Sequence, residues 1–86
     1  NLNFELTVDE FKFLIKQSCH YCNGYTLYKN KVEPSNGIDR IDNSLGYTMT
    51  NSVSCCKICN YMKHNMRYED FINHINNISN NIKTKE

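Results

Sequence analysis

The fold is decided by two short stretches of the chain, Cys19-His20-Tyr21-Cys22 and Cys56-Lys57-Ile58-Cys59. In each stretch two residues separate the cysteines, which lets both sulfurs turn toward one point and form half of a tetrahedral zinc site. Two such stretches in 86 residues therefore predict one structural zinc ion, held by Cys19, Cys22, Cys56 and Cys59. A secreted disulfide scaffold, and a zinc site that uses His20 in place of a cysteine, are the alternative interpretations.

The composition limits what else the chain can be. With 86 residues, of which 40% are hydrophobic and 22% charged, it has the size of one small domain and is neither a charged disordered tail nor a coiled-coil rod. It contains neither an apolar run of about 18 residues, which a membrane helix needs, nor a signal-peptide pattern. We therefore expect an intracellular protein, in the cytoplasm or nucleus, or in a host cell or virion if the protein is viral.

The charge of the chain gives no general argument for nucleic-acid binding. The formal net charge is +1, and four thiolates with one zinc ion would add about −2. Binding to nucleic acid would therefore depend on a local basic patch.

The order of the predicted elements is helix, knuckle, β-hairpin, knuckle, helix, helix, which makes an α+β fold. Thr7 and Glu10 fit a capping box that opens a helix over about 8–18. After the first knuckle, at 19–22, a weak alternation predicts a short strand over 25–32. The turn signal at 34–37 then leads into a β-hairpin over about 37–54. The second knuckle begins a helix over 56–66, and a last helix follows over about 68–82.

Helical spacing assigns faces to the last two helices. An apolar stripe in the first of them is predicted from Ile58, Met62 and Met66. A second, polar face of the same helix carries Asn60, Lys63, His64 and Arg67. The last helix is expected to turn five apolar residues inward: Phe71, Ile72, Ile75, Ile78 and Ile82.

The segment between the knuckles carries several further motifs in a fixed order. It reads Gly37-Ile38-Asp39-Arg40-Ile41-Asp42-Asn43-Ser44-Leu45-Gly46-Tyr47, then Asn51, then Asn60 directly after the last cysteine and Lys63 three residues on. Together with the cysteine frame, this order resembles the HNH endonuclease family, and more narrowly its small phage and viral members with four cysteines. The resemblance covers about 19–63, half the chain. It implies that 1–86 form a single HNH-type domain with the ββα-metal fold.

The resemblance also implies an activity, the cleavage of DNA phosphodiester bonds with Mg²⁺ or Mn²⁺. Asp39 stands where the family places a metal-binding carboxylate, and Asn60 stands where it places the second protein ligand. Asn51 matches the residue that braces the hairpin loop, and Lys63 matches a helix lysine that can face phosphate. Oxygen ligands of this kind suit a hard divalent ion.

One position departs from the family pattern. The residue after the metal-binding Asp is a His that acts as general base, and here it is Arg40, which stays protonated and cannot accept a proton. Arg40 could still stabilise a phosphorane electrostatically. The base would then be one of three other groups, Asp42, His64 or His20. The nucleic-acid contacts implied for either case are Arg40, Lys63, His64 and Arg67.

The same residues allow functions without cutting. A nuclease-derived zinc module that binds nucleic acid or a protein partner is the alternative, and a purely structural zinc knuckle inside a larger assembly is the third. Asp39 could simply pair with Arg40 or solvent, and Asn60 could be a helix-start residue. The polar helix face could be merely solvated. Cys55 is expected to be a small buried bystander, because Cys56 preserves the two-residue spacing.

Overall fold

The chain forms three helices and one two-stranded antiparallel sheet in a computed structural model that describes residues 3–26 and 35–85. In chain order the elements are α1 (Val8–Ile15), β1 (Gly37–Arg40), β2 (Ser52–Cys55), α2 (Lys57–Lys63) and α3 (Tyr68–Thr84). The predicted α+β class and the predicted order of these elements are therefore confirmed. The strand predicted over 25–32 lies almost wholly outside the described residues.

Helix α1 begins where the sequence predicts and ends earlier. The Thr7 side chain accepts a hydrogen bond from the Glu10 amide at 3.1 Å, and the Glu10 carboxylate accepts one from the Thr7 amide at 2.9 Å, so the capping box is confirmed. The predicted helix to residue 18 is wrong, because α1 ends at Ile15. The Gln17 carbonyl instead accepts side-chain bonds from Asn36 and Ser54, at 3.0 and 2.8 Å, which ties this segment to the hairpin.

The hairpin has a register that separates two charged neighbours. Asp39 pairs with Val53 and Arg40 with Ser52, and successive side chains of a strand point to opposite faces of the sheet. Asp39 is buried and Arg40 is partly exposed. An ion pair between Asp39 and its neighbour Arg40 is therefore excluded by the geometry of the strand.

Helix α2 is shorter than predicted, and its C-terminus changes the direction of the chain. It ends at Lys63, and His64 follows with φ 49° and ψ −119°. A side chain other than glycine rarely adopts this backbone conformation. Because the helix stops here, residues 63 and 67 do not share one continuous helical face, and the predicted helix to residue 66 is wrong.

The buried core lies at the cysteine end of the molecule and not along α3. Phe71 is buried, but Ile78 and Ile82 are each about half exposed, at 46% and 50%. Ile58 is 72% exposed, so the predicted apolar stripe of α2 faces outward instead of into a core. Among the described residues, the buried hydrophobic ones are Leu6, Leu14, Cys19, Cys55, Cys56, Cys59 and Phe71.

One buried polar residue, Asn36, connects three segments. Its side-chain oxygen accepts a hydrogen bond from the Thr26 amide at 2.8 Å, and its amide group donates to the carbonyls of Gln17 and Gly24 at 3.0 and 3.1 Å. The sequence indicates only a turn at this position. The structure shows that Asn36 holds the end of α1 and the first knuckle against the start of β1.

We expect His64→Gly to stabilise the protein, because glycine adopts a positive φ without steric cost. The free energy of unfolding should rise by about 1 kcal/mol, the low end of the cost of such a backbone conformation. Thermal or urea unfolding of metal-loaded protein would measure it. His64→Ala is the matched control and should give no gain. A His64→Gly variant less stable than the wild type would contradict this account.

Candidate metal centre and the ion pair beside it

Four cysteine sulfurs form a cluster that could hold a structural metal ion such as zinc. The sulfurs of Cys19, Cys22, Cys56 and Cys59 all lie within 4.8 Å of one another. The sulfurs of Cys22 and Cys56 are 3.6 Å apart, whereas a disulfide bond is about 2.05 Å long. Zinc–sulfur bonds of about 2.3 Å place tetrahedral ligands about 3.8 Å apart. All five cysteines are free, so the disulfide interpretation is not supported.

Backbone amides around the cluster point at its sulfurs. In the first knuckle, Gly24 donates to the Cys22 sulfur at 3.4 Å, and Asn23 makes the turn possible with a φ of 64°. In the second knuckle, the Cys59 amide donates to the Cys56 sulfur at 3.3 Å and thereby caps the N-terminus of α2. These amides stabilise thiolate sulfur, the form that binds a metal ion.

The four thiols are not equally easy to deprotonate before a metal ion binds. Burial raises the pKa of Cys19, but hydrogen bonds from surrounding backbone groups outweigh it and lower that pKa to about 7. Burial, followed by hydrogen bonds with Cys56 and Cys22, raises the pKa of Cys59 well above its ordinary value. Metal binding must therefore displace at least one proton from the cluster.

Cys55 lies next to the cluster and does not belong to it. It is 1% exposed, and its thiol donates to the Cys56 carbonyl at 3.5 Å. Burial, with a further contribution from the charges of Cys19 and Asp39, raises the pKa of Cys55. It is the small buried residue that the sequence predicts.

Asp39 lies in a buried ion pair with Lys63. The lysine ammonium is 3.0 Å from Oδ2 of Asp39, and the hydroxyl of Tyr21 donates to the same oxygen at 2.6 Å. The Lys63 side chain is fully buried and that of Asp39 is 10% exposed. Lys63 also donates to the carbonyl of Arg40 at 3.1 Å and to the side-chain oxygen of Asn43 at 3.4 Å. All three N–H donors of the ammonium therefore have oxygen partners.

The ion pair corrects the prediction for Lys63. The sequence places it on an exposed helix face with His64 and Arg67, where it could meet phosphate, but its side chain has no exposed surface. Lys63 is the last residue of α2 and its stem runs inward to Asp39. Lys63 is thus not a nucleic-acid contact.

In this arrangement Asp39 does not fit a divalent ion. An ion bound to Oδ2 would lie close to the buried ammonium, and like charges a few ångströms apart repel strongly in a low-dielectric interior. Asn60, predicted to be the second ligand, is exposed on α2. Its side chain makes no hydrogen bond to any residue that the structure describes.

Arg40 holds the hairpin loop, residues 41–51. Its guanidinium donates to the carbonyls of Asn43 and Leu45, both at 3.1 Å, and lies 5.0 Å from the centre of the Tyr47 ring. A cation above an aromatic ring is attracted by the electrons of the ring face. The position that the family gives to a general base is therefore used here for loop structure.

Asn51 braces the same loop from the opposite side. Its side-chain oxygen accepts from the Asp42 amide at 2.8 Å, and its amide group donates to the carbonyls of Asp42 and Gly46 at 3.0 and 2.9 Å. These are main-chain contacts of the kind that the resemblance implies. Gly46 is required beside them, because a side chain there would overlap the backbone of Asn3.

The three residues considered as an alternative general base are Asp42, His20 and His64. The first two form hydrogen bonds with other side chains, and His64 is exposed at the end of a helix. The Ser44 hydroxyl and amide hydrogen-bond the Asp42 carboxylate and lower its pKa, which makes Asp42 a weaker base. His20 lies 3.0 Å from the Tyr68 hydroxyl, and it is not among the residues of the cysteine cluster. His64 is exposed at the end of α2.

A polar cleft of about 630 Å³ lies between the hairpin loop and the start of α3. Arg67 is its exposed cation, and it pairs with Asp70 at 3.1 Å. The hydrogen bond with Asp70 and the charge of that carboxylate raise the pKa of Arg67. The lining residues are Ile41, Asp42, Asn43, Ser44, Asn65, Arg67, Tyr68 and Glu69.

Sequence reasoning misses one residue of this region and misjudges another. The cysteine spacing predicts no role for Tyr21 beyond separating Cys19 from Cys22. Helical spacing predicts that Lys63 lies at the surface. Two features of the sequence bear on this region. A buried tyrosine hydroxyl needs a hydrogen-bond partner, and Asp39 is a charged residue in a strand segment bounded by Ile38 and Ile41. Neither feature identifies Lys63, which meets Asp39 only through the tertiary fold.

Comparison with known proteins finds a relative without an assigned function. The chain is 45% identical over 71 residues, or 83% of its length, to an uncharacterised protein of Acanthamoeba polyphaga mimivirus. The match spans 12% of that viral protein. No family model and no solved structure matches the chain. Within residues 3–26 and 35–85, no helix is both long and apolar enough to cross a membrane.

We expect purified protein to contain one metal ion bound by the four clustered cysteines. Its binding free energy, about 10–16 kcal/mol for structural zinc, is as large as the stability of a small domain, so removal should unfold the chain. Elemental analysis and circular dichroism before and after chelation would measure both effects. Cys59→Ser should lose the ion, and Cys55→Ser should keep it. A native-like spectrum in the metal-free chain would contradict the expectation.

We expect Asn51→Ala to destabilise the protein by about 2–4 kcal/mol, because three partly buried main-chain groups lose their partners. Thermal unfolding of metal-loaded protein would measure the loss. Asn77→Ala, at an exposed position of α3, is the matched control and should change stability by less than about 0.5 kcal/mol. Equal unfolding temperatures for the two variants would show that Asn51 does not brace the loop.

Proposed function

We propose that the chain is a zinc-stapled module of the HNH type that binds nucleic acid without cutting it. The ion pair between Lys63 and Asp39 carries this proposal, because the carboxylate that would hold a catalytic ion is already neutralised. The proposal keeps the ββα-metal fold that the sequence resembles. The two strands, α2 and the four clustered sulfurs, which supply the zinc ligands, are the parts that support it.

Nucleic acid is the proposed partner because the exposed polar groups lie beside the hairpin loop. Arg67 projects at the cleft with 74% of its side chain exposed, and Asn43 and Asn65 line the same cleft. Arg67 can contact phosphate when it leaves Asp70, since an exposed pair of this kind contributes only about 0.2–1 kcal/mol. His64, exposed three residues before Arg67, can add a second contact.

The same observations predict a weak interaction. The formal net charge is +1, and Lys63 and Arg40 are engaged within the protein. One or two phosphate contacts correspond to a salt slope of about −1 to −2 in log K against log salt. Sustained binding would then come from other parts of a larger protein, as the length of the viral relative suggests.

An endonuclease is the second candidate, and a specific observation favours it. Asn51 holds the hairpin loop through main-chain hydrogen bonds in the way that the HNH resemblance implies. Cutting would require a divalent ion at Asp39 and therefore the departure of Lys63 from that carboxylate. The residues around Asp39 do not fit such an ion as they stand, which makes the endonuclease the weaker of the two candidates.

We expect Arg67→Gln to weaken binding to a short labelled DNA duplex at low salt, and Asp70→Asn to strengthen it. The first change removes the exposed cation, and the second removes the carboxylate that competes for it. Each effect should be about two- to fivefold, the range of a single exposed charge contact. Fluorescence anisotropy at several salt concentrations would measure affinity and salt slope.

Lys83→Gln, an exposed change at the far end of α3, is the matched control and should leave binding unchanged. If Arg67→Gln and Lys83→Gln weaken binding equally, the cleft is not the site. If no nucleic acid binds at low salt, the proposed function is rejected.

We expect the wild type not to nick supercoiled DNA with Mg²⁺ or Mn²⁺, because Asp39 is paired with Lys63. Gel analysis of zinc-loaded protein with each ion would measure it. Asp39→Asn, checked for folding, is the comparison. Nicking by the wild type that is lost in folded Asp39→Asn would reject the proposal and support the endonuclease.

A further inference from the structure

We propose that the Lys63 ammonium is a built-in substitute for the divalent ion of an HNH-type centre. This inference rests on the proposed function for the identity of the centre, and it goes beyond that function by assigning Lys63 a role. It implies that wild-type protein has no divalent-cation site at Asp39, and that removing the ammonium would open one.

The first support is the chemistry of the groups around the ammonium. Three oxygens surround Nζ, one from the Asp39 carboxylate at 3.0 Å, one from the Arg40 carbonyl at 3.1 Å and one from the Asn43 side chain at 3.4 Å. Carboxylate, carbonyl and amide oxygens are also the ligands that Mg²⁺ and Mn²⁺ prefer. The ammonium therefore occupies an oxygen-lined position suited in its donor chemistry to a hard cation.

The second support is the way in which the fold fixes both partners. Lys63 ends the helix that begins at Cys56, and Tyr21, which also donates to Asp39, lies between Cys19 and Cys22. The two groups that donate to the Asp39 carboxylate are thus attached one to each half of the cysteine cluster. A metal ion in that cluster would hold the ammonium and the hydroxyl on the carboxylate.

The third support is the electrostatic balance. Asp39 carries one negative charge and Lys63 one positive charge, and both side chains are buried. A divalent ion entering beside Lys63 would give this buried site an excess positive charge, which a low-dielectric interior disfavours strongly. Water and a phosphate could screen an exposed site, but the side chain of Lys63 has no exposed surface.

The test compares Mn²⁺ binding by zinc-loaded wild type, Lys63→Met and Lys57→Met. Methionine keeps an apolar stem of similar length and removes the charge, and Lys57 is an exposed lysine of the same helix. We expect Lys63→Met to bind Mn²⁺ at least about tenfold more tightly than wild type, and Lys57→Met to behave as wild type. Adding Asp39→Asn to Lys63→Met should remove the gain. Electron paramagnetic resonance of free Mn²⁺ would measure binding without requiring activity.

Folded Lys63→Met that binds Mn²⁺ no better than wild type would overturn the inference. If Lys63→Met does not fold, nuclear magnetic resonance of the wild type still decides the question. Added Mn²⁺ should leave the signals of Asp39 and Lys63 unbroadened, and selective broadening of both would overturn the inference. The DNA-binding measurement does not involve Lys63. Absence of DNA binding would therefore reject the proposed function, whereas the inference about Lys63 is tested independently by the Mn²⁺ measurement.

Discussion

The four-sulfur cluster is the constraint on which the rest of this structure depends. In residues 3–26 and 35–85 the secondary structure consists of one two-stranded hairpin and three helices, the shortest of seven residues, and a two-stranded sheet is marginal in water without further packing. The cluster joins the segment after α1 to the start of α2, which lie 34 residues apart at Cys22 and Cys56. Two long-range contacts of the candidate site depend on this junction. Tyr21 reaches Asp39 only because its knuckle is held there, and Lys63 reaches Asp39 only because α2 starts at the cluster.

Burying an ion pair in so small a protein has a cost that its neighbours must offset. Two charges removed from water lose several kcal/mol each of solvation, and a single contact between them rarely recovers it. Here several hydrogen bonds together offset the lost solvation free energy. Tyr21 adds a second donor to the carboxylate, and two further oxygens accept from the ammonium. The arrangement is therefore a hydrogen-bonded network instead of an isolated pair, and such networks specify one geometry when every group is satisfied. The network also involves the loop that supplies Asn43, which Arg40 and Asn51 hold in place.

The features of the fold that can be predicted are those determined by residues close together in the sequence. The capping box at Thr7, the strands of the hairpin and the spacing of the cysteines each depend on a few neighbouring residues, and the structure contains all three. The predictions that are wrong depend on where a helix ends and on which residues pack against it in the folded chain. Helical spacing puts Lys63 and Arg67 on one face, but α2 stops at Lys63, and a positive φ at His64 redirects the chain. The same spacing predicts an apolar stripe through Ile58 and Met62 but not its surroundings, and both side chains are exposed because the buried cluster forms around the sulfurs. No local pattern could show that Tyr21 and Lys63 meet on one carboxylate.

The position of Lys63 explains why a nuclease-like order of residues need not bring nuclease chemistry with it. Asp39, Asn51, Asn60 and Lys63 keep their order and spacing whether the lysine points outward or inward. What differs is the direction of the lysine side chain, which here runs inward from the last residue of α2 to Asp39. A divalent ion and an ammonium compete for the same carboxylate, but the ammonium is attached to the chain and does not depend on concentration. With this lysine in place, the carboxylate belongs to a buried hydrogen-bonded network, and the contacts proposed for nucleic acid involve only the exposed groups at the cleft.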